Sequence, residues 1–365
     1  METSWIKNLI GNLKIKFNFD KSHSKNLKIV DKSKGKQILN HGLTNQEVIH
    51  LVDTIVSNRL SSFENQARYT YELRTNAFKE KLLEDLKSAT PEELNRLQEP
   101  DTQIAMIEAT NISGRRGEKT LSNMLSSLVV EKITKKIDEK TSLKDIVYNE
   151  AIKTIGKLTE DQLKIITLCF ILRHTRNEVI FSTKLLDQYI TKSLQPFFDF
   201  KNTISQFEHI QYSGCGSLSS VGSWSFYNIW RENYFFIFDK EVQPDQIEDL
   251  KLNGLEIAKI FTKKPEEKTY RIPYHKNAFP KFLEKEGITD PKKSKIIQLR
   301  NRLCLNDNEI KEFLGSKTSL GEELVKTWDN SRIKNLSLTS VGKLIAITYY
   351  KQITGSPLNV DIWIN

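Results

Sequence analysis

The segment QYSGCGSLSSVGSW, residues 211–224, marks the point where the character of the chain changes. It holds three glycines within nine residues, whereas the 170 residues 44–213 hold only three glycines in total. Glycine ends helices because it adopts a left-handed backbone at little cost, and it also permits tight turns. We therefore predict that Gly214 and Gly216 form a structural turn between an all-helical domain, residues 44–213, and a second domain, residues 214–365.

The same segment contains two potential nucleophiles, Cys215 and Ser217. The pattern is not GxSxG, and a nucleophile elbow of that kind follows a strand, whereas a predicted helix comes before this segment. A thiol nucleophile also needs a base, and only His209 and His174 are candidates to approach it in the fold. We predict no catalytic residues, and a hydrolase that uses Cys215 or Ser217 stays open as a third hypothesis.

The helical domain is predicted from capping signals and from apolar periodicity. Residues 44–90 contain neither glycine nor proline, and Thr44 with Glu47 makes a capping box that starts a helix. An unbroken helix from Asn45 to Ser88 would be about 65 Å long. We expect it either to kink or to extend into an oligomer contact. Further helices are predicted to begin after Thr90 and to cover 102–112, 118–136, 142–155, 159–172 and 182–211, the last one broken near Pro196.

The second domain has the composition of an α+β fold. Residues 224–238 are densely aromatic, a helix is predicted from Pro244 to Thr262, and TYRIPYH at 269–275 has the composition of a strand. Residues 335–355 predict a closing helix, which a short strand follows. Further helices are predicted at 280–286, 292–303, 307–314 and 319–329.

The net charge of +9 is distributed unevenly. Residues 1–43 carry nine lysines against three acidic residues, a net charge of +6. This basic arm is either a solvated lysine-rich surface or a contact for nucleic acid or an acidic partner. The segment SGRRGEKT, residues 113–120, lacks the spacing of a phosphate loop and is interpreted as a basic loop between helices. The candidate contact residues are Lys14, Lys16, Lys28, Arg115 and Arg116.

The basic arm also contains an alternating apolar pattern. Four apolar residues alternate with asparagine and lysine, which predicts a strand with one apolar face, and residues 26–31 predict a second strand. Because a two-stranded hairpin alone is marginal in water, it must pack on the body or pair with another copy. The predicted self-association residues are Leu13, Ile15, Phe17 and Phe19.

Composition excludes several classes of protein. The 365 residues suit two domains, and 38% hydrophobic with 28% charged residues suits a globular protein. No apolar run approaches 18 residues, and the N-terminus predicts no secretory signal, so we expect no membrane contact. The three cysteines are far apart and no cluster of cysteine and histidine has ligand spacing. We predict no metal, no cofactor and a cytoplasmic location.

Four segments together resemble the abortive-infection alpha family of bacterial phage-defence proteins. An acidic amphipathic helix pair leads into KLTEDQLKIITLCFIL, a short segment ends a helix at a glycine, and LSLTSVGKLIAI closes with a strand and a helix. The segments are residues 97–133, 157–172, 210–218 and 336–347.

The resemblance implies a winged-helix-like C-terminal domain. In such folds the L-T-x-x-G signature ends a wing strand and starts a helix, with Thr339 as the cap and Gly342 allowing close packing. The fold class that we predict is therefore mainly α: a multi-helix N-terminal domain with a short N-terminal β-hairpin, then an α+β winged-helix-like domain. The resemblance carries no catalytic residues.

Two functions of different classes are consistent with these observations. The first is a non-catalytic defence protein that acts by contact with itself, most simply as a homodimer, and with a phage or host protein. The alternative is a nucleic-acid-binding module that uses the basic arm and the winged-helix-like C-terminus. Binding to DNA and RNA at two salt concentrations distinguishes them.

Overall fold

The computed structural model describes residues 44–57, 65–134, 143–220, 222–264 and 268–364. The protein is mainly helical, as the sequence predicts: these residues contain 18 α-helices and four short strands. The predicted hairpin of the basic arm lies outside the described residues. So do the predicted contact residues Lys14, Lys16 and Lys28 and the predicted self-association residues Leu13, Ile15, Phe17 and Phe19.

The chain forms two compact units. The described residues of the first unit lie within 44–117 and 129–134, and those of the second lie within 118–128 and 143–364. The predicted boundary between residues 213 and 214 lies inside the second unit. None of the described helices is both long and apolar enough to cross a membrane.

The first unit is built from helices whose starts carry the predicted caps. Thr44 accepts from the Glu47 amide, and Thr90 and Glu93 form a complete capping box. Where one helix from Asn45 to Ser88 was predicted, two helices are described, with 58–64 outside the described residues. The elements are α1 Asn45–Ser57, α2 Asn65–Asp85, α3 Pro91–Leu94, α4 Pro100–Arg116 and the C-terminal part, residues 129–134, of α5 Lys119–Thr134.

Close packing of α2 on α4 forms the core of the first unit. The Tyr71 hydroxyl donates to the Asn111 side-chain oxygen at 2.9 Å. The ring lies over Gly114, where an added Cβ atom would be 2.2 Å from a Tyr71 ring carbon. A glycine at this position therefore lets the two helices approach.

The second unit contains the remaining helices and all four described strands. The helices are α6 Leu143–Ile155, α7 Glu160–His174, α8 Thr183–Tyr189, α9 Ile204–Tyr212, α10 Phe226–Asn233, α11 Phe235–Phe238, α12 Pro244–Glu248, α13 Gly254–Ile260, α14 Phe279–Lys285, α15 Lys292–Leu303, α16 Asp307–Lys317, α17 Gly321–Asp329 and α18 Ser340–Thr354. The strands are β1 Gly216–Leu218, β2 Thr262–Lys264, β3 Thr269–Arg271 and β4 Leu336–Leu338.

Helix α7 is the centre of the second unit. It begins at the capping box of Thr159 and Gln162, and its residues 165–172 are all buried. A helix that is apolar on every side must be covered on every side, and α18 and α10 are among the elements that contact it. Helix α18 also packs on α6.

The strands form two separate antiparallel pairs. β1 pairs with β4, with Gly216 opposite Leu338 and Leu218 opposite Leu336, and β2 pairs with β3 in a hairpin. The predicted strand and helix of the L-T-x-x-G signature are β4 and α18. The partner of β4 is a strand far earlier in the chain, so β4 does not belong to a local wing hairpin.

One predicted helix is wrong. The sequence predicted a single helix from Pro244 to Thr262, but the structure has α12, a turn and then α13. Lys251 in the turn has a φ of 52°, which ends the first helix. Asn253 then caps the second by accepting from the Glu256 amide at 2.8 Å. An asparagine competes with helix continuation because its side chain binds the local backbone.

Candidate nucleic-acid interface

The residues predicted to form a turn and a cap meet at one junction in the second unit. Gly214 has a φ of 80° and follows the end of α9. Its carbonyl oxygen accepts from the Thr339 hydroxyl at 2.7 Å. The same hydroxyl oxygen accepts from the Gly342 amide at 3.1 Å and so caps α18. One threonine therefore joins the end of a helix to the start of another.

Two glycines bring the backbones of this junction together. A Cβ atom on Gly342 would lie 1.9 Å from the Cys215 carbonyl oxygen, and one on Gly216 would lie 2.9 Å from the Ser337 carbonyl oxygen. The Thr339 amide donates to the Cys215 carbonyl at 3.0 Å. These contacts occupy the backbone of the glycine-rich segment with structural hydrogen bonds.

The potential nucleophiles of this segment differ in their surroundings. Cys215 is buried, and desolvation raises the pKa of its thiol to about 11. At neutral pH this thiol is protonated, whereas a nucleophilic cysteine acts as the thiolate. Ser217 is exposed on β1. The His209 ring nitrogen instead faces the Gln162 side chain, at 3.0 Å from its nitrogen and 3.2 Å from its oxygen.

Arg115 and Arg116 lie in the last turn of α4, in the first unit, and not in a loop as predicted. Gly117 ends the helix with a φ of 72°. The Arg74 guanidinium donates to the carbonyl oxygens of Gly114, at 3.2 Å, and Arg115, at 2.8 Å. Cations at a helix C-terminus are favourable because they face the negative end of the dipole, which gives these arginines a structural role.

A different basic surface lies in residues 239–304 of the second unit, which we call the helix–hairpin region. Near its start, Val242 forms an antiparallel bridge to Tyr270 of β3. The Val242 amide donates to the Tyr270 carbonyl at 2.8 Å, and the Tyr270 amide donates back at 2.9 Å. β3 therefore lies between Val242 on one side and β2 on the other.

Two short helices separate Val242 from the hairpin. α12 and α13 are joined by a turn of five residues; Ile247 of α12, Leu250 of the turn and Ile260 of α13 belong to one buried cluster. The rest of this cluster comes from α14 and α15, from the residues that flank the hairpin strands, Phe261 and Ile272, and from Val242 and Ile288. The cluster comprises Val242, Ile247, Leu250, Ile260, Phe261, Ile272, Phe279, Leu283, Ile288, Ile296, Leu299 and Leu303.

The C-terminal end of α15 is fixed beside Asp239, three residues before Val242. Asp239 bridges to Cys304, and the Lys240 amide donates to the Leu303 carbonyl at 2.7 Å. Arg300, whose side chain is 2% exposed, pairs with Asp239 at 2.8 Å. Burial raises the pKa of Asp239 and the guanidinium opposes that rise. Since an unpaired buried charge is costly, this ion pair fixes the end of α15 at this position.

The helix–hairpin region carries a concentrated positive charge. Residues 250–303 hold fourteen lysine and arginine residues against six aspartate and glutamate residues, a net charge of +8, whereas residues 239–249 hold one lysine against five acidic residues, so the whole region has a net charge of +4. The single acidic residue of α13, Glu256, receives two hydrogen bonds from Lys292 at 2.9 and 3.0 Å. These hydrogen bonds lower the pKa of the Glu256 carboxyl. Lys251, Lys263 and Lys268 are exposed around α13 and the hairpin.

The sequence indicates that the second domain, residues 214–365, is aromatic and basic, but it predicted the contact residues in the basic arm and at Arg115 and Arg116, so this surface was not singled out. The sequence signal that could have revealed the start of α13 was Asn-Gly-x-Glu, residues 253–256, which begins a helix inside the single helix predicted there.

Among the described residues, no group of histidine, cysteine and carboxylate side chains has the arrangement of a metal site.

A protein-family model matches residues 42–364. The chain belongs to this family. The match includes the described residues of both units and the entire helix–hairpin region, while the basic arm precedes it. No function is stated for this family, and nothing links it to the abortive-infection alpha family. No curated protein and no solved structure matches the chain significantly.

Proposed function

We propose that this protein binds nucleic acid through the helix–hairpin region, as a winged-helix-like module. The observation that carries the proposal is the order of its elements: the extended residue Val242, two helices joined by a five-residue turn, and then a β-hairpin. The second strand of that hairpin, β3, pairs with Val242. Helix-turn-helix modules place their second helix in a groove of the duplex. In this chain that helix is α13, and the hairpin β2–β3 follows it directly.

The third helix of such a module is supplied from the other end of the region. In a winged helix a first helix leads into the first strand and completes the core under the helix-turn-helix pair. Here the end of α15 lies beside Asp239, just before Val242, through the bridge to Cys304. Its residues Ile296, Leu299 and Leu303 are buried in the same cluster as those of α12 and α13. We infer that α15 takes the place of the missing first helix.

Charge supports nucleic acid over an acidic protein as the partner. A chain of phosphates attracts a surface whose lysines are spread over neighbouring elements, and binding releases counterions. Lys251 in the turn, Lys263 on β2 and Lys268 before β3 are exposed in this way. The acidic residue of α13 is already paired with Lys292, which reduces its repulsion of phosphate.

The test is fluorescence anisotropy of the full chain with labelled duplex DNA, single-stranded DNA and RNA at 50 and 200 mM salt. The double variant Lys263→Glu/Lys268→Glu should weaken binding and lower the salt slope by about two. The control Lys192→Glu/Lys201→Glu makes the same charge change at exposed positions outside the region and should retain the slope. Equal losses in both variants, or no binding by the unmodified chain, would refute the proposal.

A defence role is our second candidate, and its support is the resemblance to the abortive-infection alpha family. A non-catalytic protein that associates with itself, and with a phage or host protein in the cytoplasm, agrees with that resemblance. Phage plating efficiency on cells with and without the chain tests it, and unchanged plating with a panel of phages would contradict it. The hydrolase hypothesis gains no support from a buried, protonated Cys215.

A further inference from the structure

One exposed leucine distinguishes the helix–hairpin region from an ordinary basic surface. Leu255, the second residue of α13, is 69% exposed. Among the described residues of the region, it is the one large hydrophobic side chain that is exposed. Ala258 is also exposed, three residues later. Residues three apart on a helix share a face, so the outward face of α13 is apolar at its centre.

The two charged residues of α13 are both engaged in ion pairs, including Lys259, which borders this face four residues after Leu255. Glu256 is held by Lys292, and Lys259 pairs with Glu286 at 2.6 Å. Helix α13 contains no arginine, asparagine or glutamine, and its one lysine, the remaining type of side chain that binds guanine, is Lys259, which is paired with Glu286. Only apolar contact remains for reading bases from this helix, and in the major groove its counterpart is the C5-methyl group of thymine.

We propose that α13 enters the major groove of duplex DNA, where Leu255 and Ala258 contact thymine methyl groups. This inference rests on the proposed function and names its substrate class. Leu255 lies at the N-terminal end of the second helix of the pair, which is the part that contacts base edges in helix-turn-helix proteins. The exposed lysines Lys263 and Lys268 on the adjacent hairpin then face the phosphate backbone.

The same surface is poorly suited to single strands. Single-strand binders stack bases on exposed aromatic side chains. In the helix–hairpin region the aromatic rings instead pack on one another: Tyr274 stacks on Phe282 with ring centroids 3.8 Å apart, and Phe261 meets Tyr270 edge-on at 6.4 Å. A groove that offers methyl groups therefore matches this surface better than an unpaired base does.

The experiment begins with selection of bound duplexes from a random 20-base-pair DNA pool by the full chain. Each thymine in the selected duplexes is then replaced by uracil, which removes only the methyl group. We expect a loss of roughly fourfold in affinity at one or two positions, since burying one such group contributes ~0.8 kcal/mol. The Leu255→Ala variant should bind the thymine-containing duplex with the same roughly fourfold loss of affinity. Replacing the sensitive thymine by uracil should then cause no further loss in that variant.

The control is Leu73→Ala, which removes a leucine that is 60% exposed within α2 and should leave affinity and the thymine preference unchanged. Thermal unfolding of both variants verifies that they fold. Selected duplexes without a sensitive thymine, or a Leu255→Ala variant that still distinguishes thymine from uracil, would overturn the inference. Binding to RNA or single strands but not to duplex DNA would also overturn it while leaving the proposed function standing. Failure to bind any nucleic acid would refute both.

Discussion

At the scale of single residues, Gly342 shows how one missing side chain permits a junction. Its own helix would tolerate alanine, because alanine is the best helix former. The obstacle is the Cys215 carbonyl oxygen, which would lie 1.9 Å from an added Cβ atom. That oxygen cannot move freely, since it also accepts from the Thr339 amide at 3.0 Å.

We therefore expect Gly342→Ala to lower the free energy of unfolding by about 1–3 kcal/mol, the usual cost of overpacking. The matched control is Gly315→Ala in α16, where the new Cβ atom would lie 4.0 Å from the Cβ atom of Glu322. This control should be neutral or stabilising by up to ~1 kcal/mol. Denaturant unfolding measures both, and equal effects of the two substitutions would contradict the packing argument.

His174, at the end of α7, predicts a pH dependence of stability. Burial lowers the pKa of its ring from 6.5 to about 4, with Lys343 and Arg173 adding to the effect. Between these values the unfolded chain binds a proton that the folded chain does not, so this group lowers stability as pH falls from about 6.5 towards 4.

Thermal unfolding at pH 7 and pH 4.5 tests the effect of His174. The difference in melting temperature between the two pH values should be smaller in His174→Gln than in the unmodified chain. His50→Gln, which changes an exposed histidine on α1, should retain the full difference. A His174→Gln variant with an unchanged pH dependence would show that the ring is protonated alike in both states.

At the scale of elements, Thr339 connects two helices that are far apart in the chain. Its hydroxyl oxygen caps α18 and its hydroxyl proton binds the Gly214 carbonyl after α9. Thr339→Ala should therefore cost more than an ordinary cap, about 1–3 kcal/mol from the cap and the second hydrogen bond together. Thr339→Ser keeps both bonds and should lose much less. If serine and alanine destabilise equally in denaturant unfolding, the hydroxyl is not the stabilising group.

At the scale of the whole molecule, positive charge occurs in two separate places. The basic arm carries +6 and residues 250–303 carry +8 within a net charge of +9, so the remaining chain is acidic. Two basic segments on one chain can contact one nucleic acid at two points, which multiplies affinity through effective concentration. Apart from the basic arm, the positive charge of the chain is therefore concentrated in residues 250–303.

Self-association through the basic arm stays a prediction of the sequence. The alternating apolar face of residues 13–19 is too small to form its own core. Light scattering should give a mass above that of the 42.3 kDa chain at micromolar concentration. Deletion of residues 1–43 should lower that mass, most simply from a dimer to a monomer. A monomeric full-length chain would contradict this prediction.

Local signals in the sequence by themselves determined where most helices begin. The two residues of each capping box, Thr159 with Gln162 and Thr90 with Glu93, lie three residues apart in the chain. Such a short-range pair can be identified in the sequence without knowledge of the tertiary structure. The mainly helical class follows for the same reason.

Only the tertiary structure decided which distant segments meet. β1 pairs with β4, Val242 with Tyr270, and Asp239 with Cys304. No periodicity encodes such partners, because a three-residue strand has the same local pattern whichever strand it pairs with. The break between α12 and α13 was missed for a related reason. A helix start at Asn253 competes with helix continuation, and the buried cluster that includes Leu250 and Ile260 favours two short helices over one.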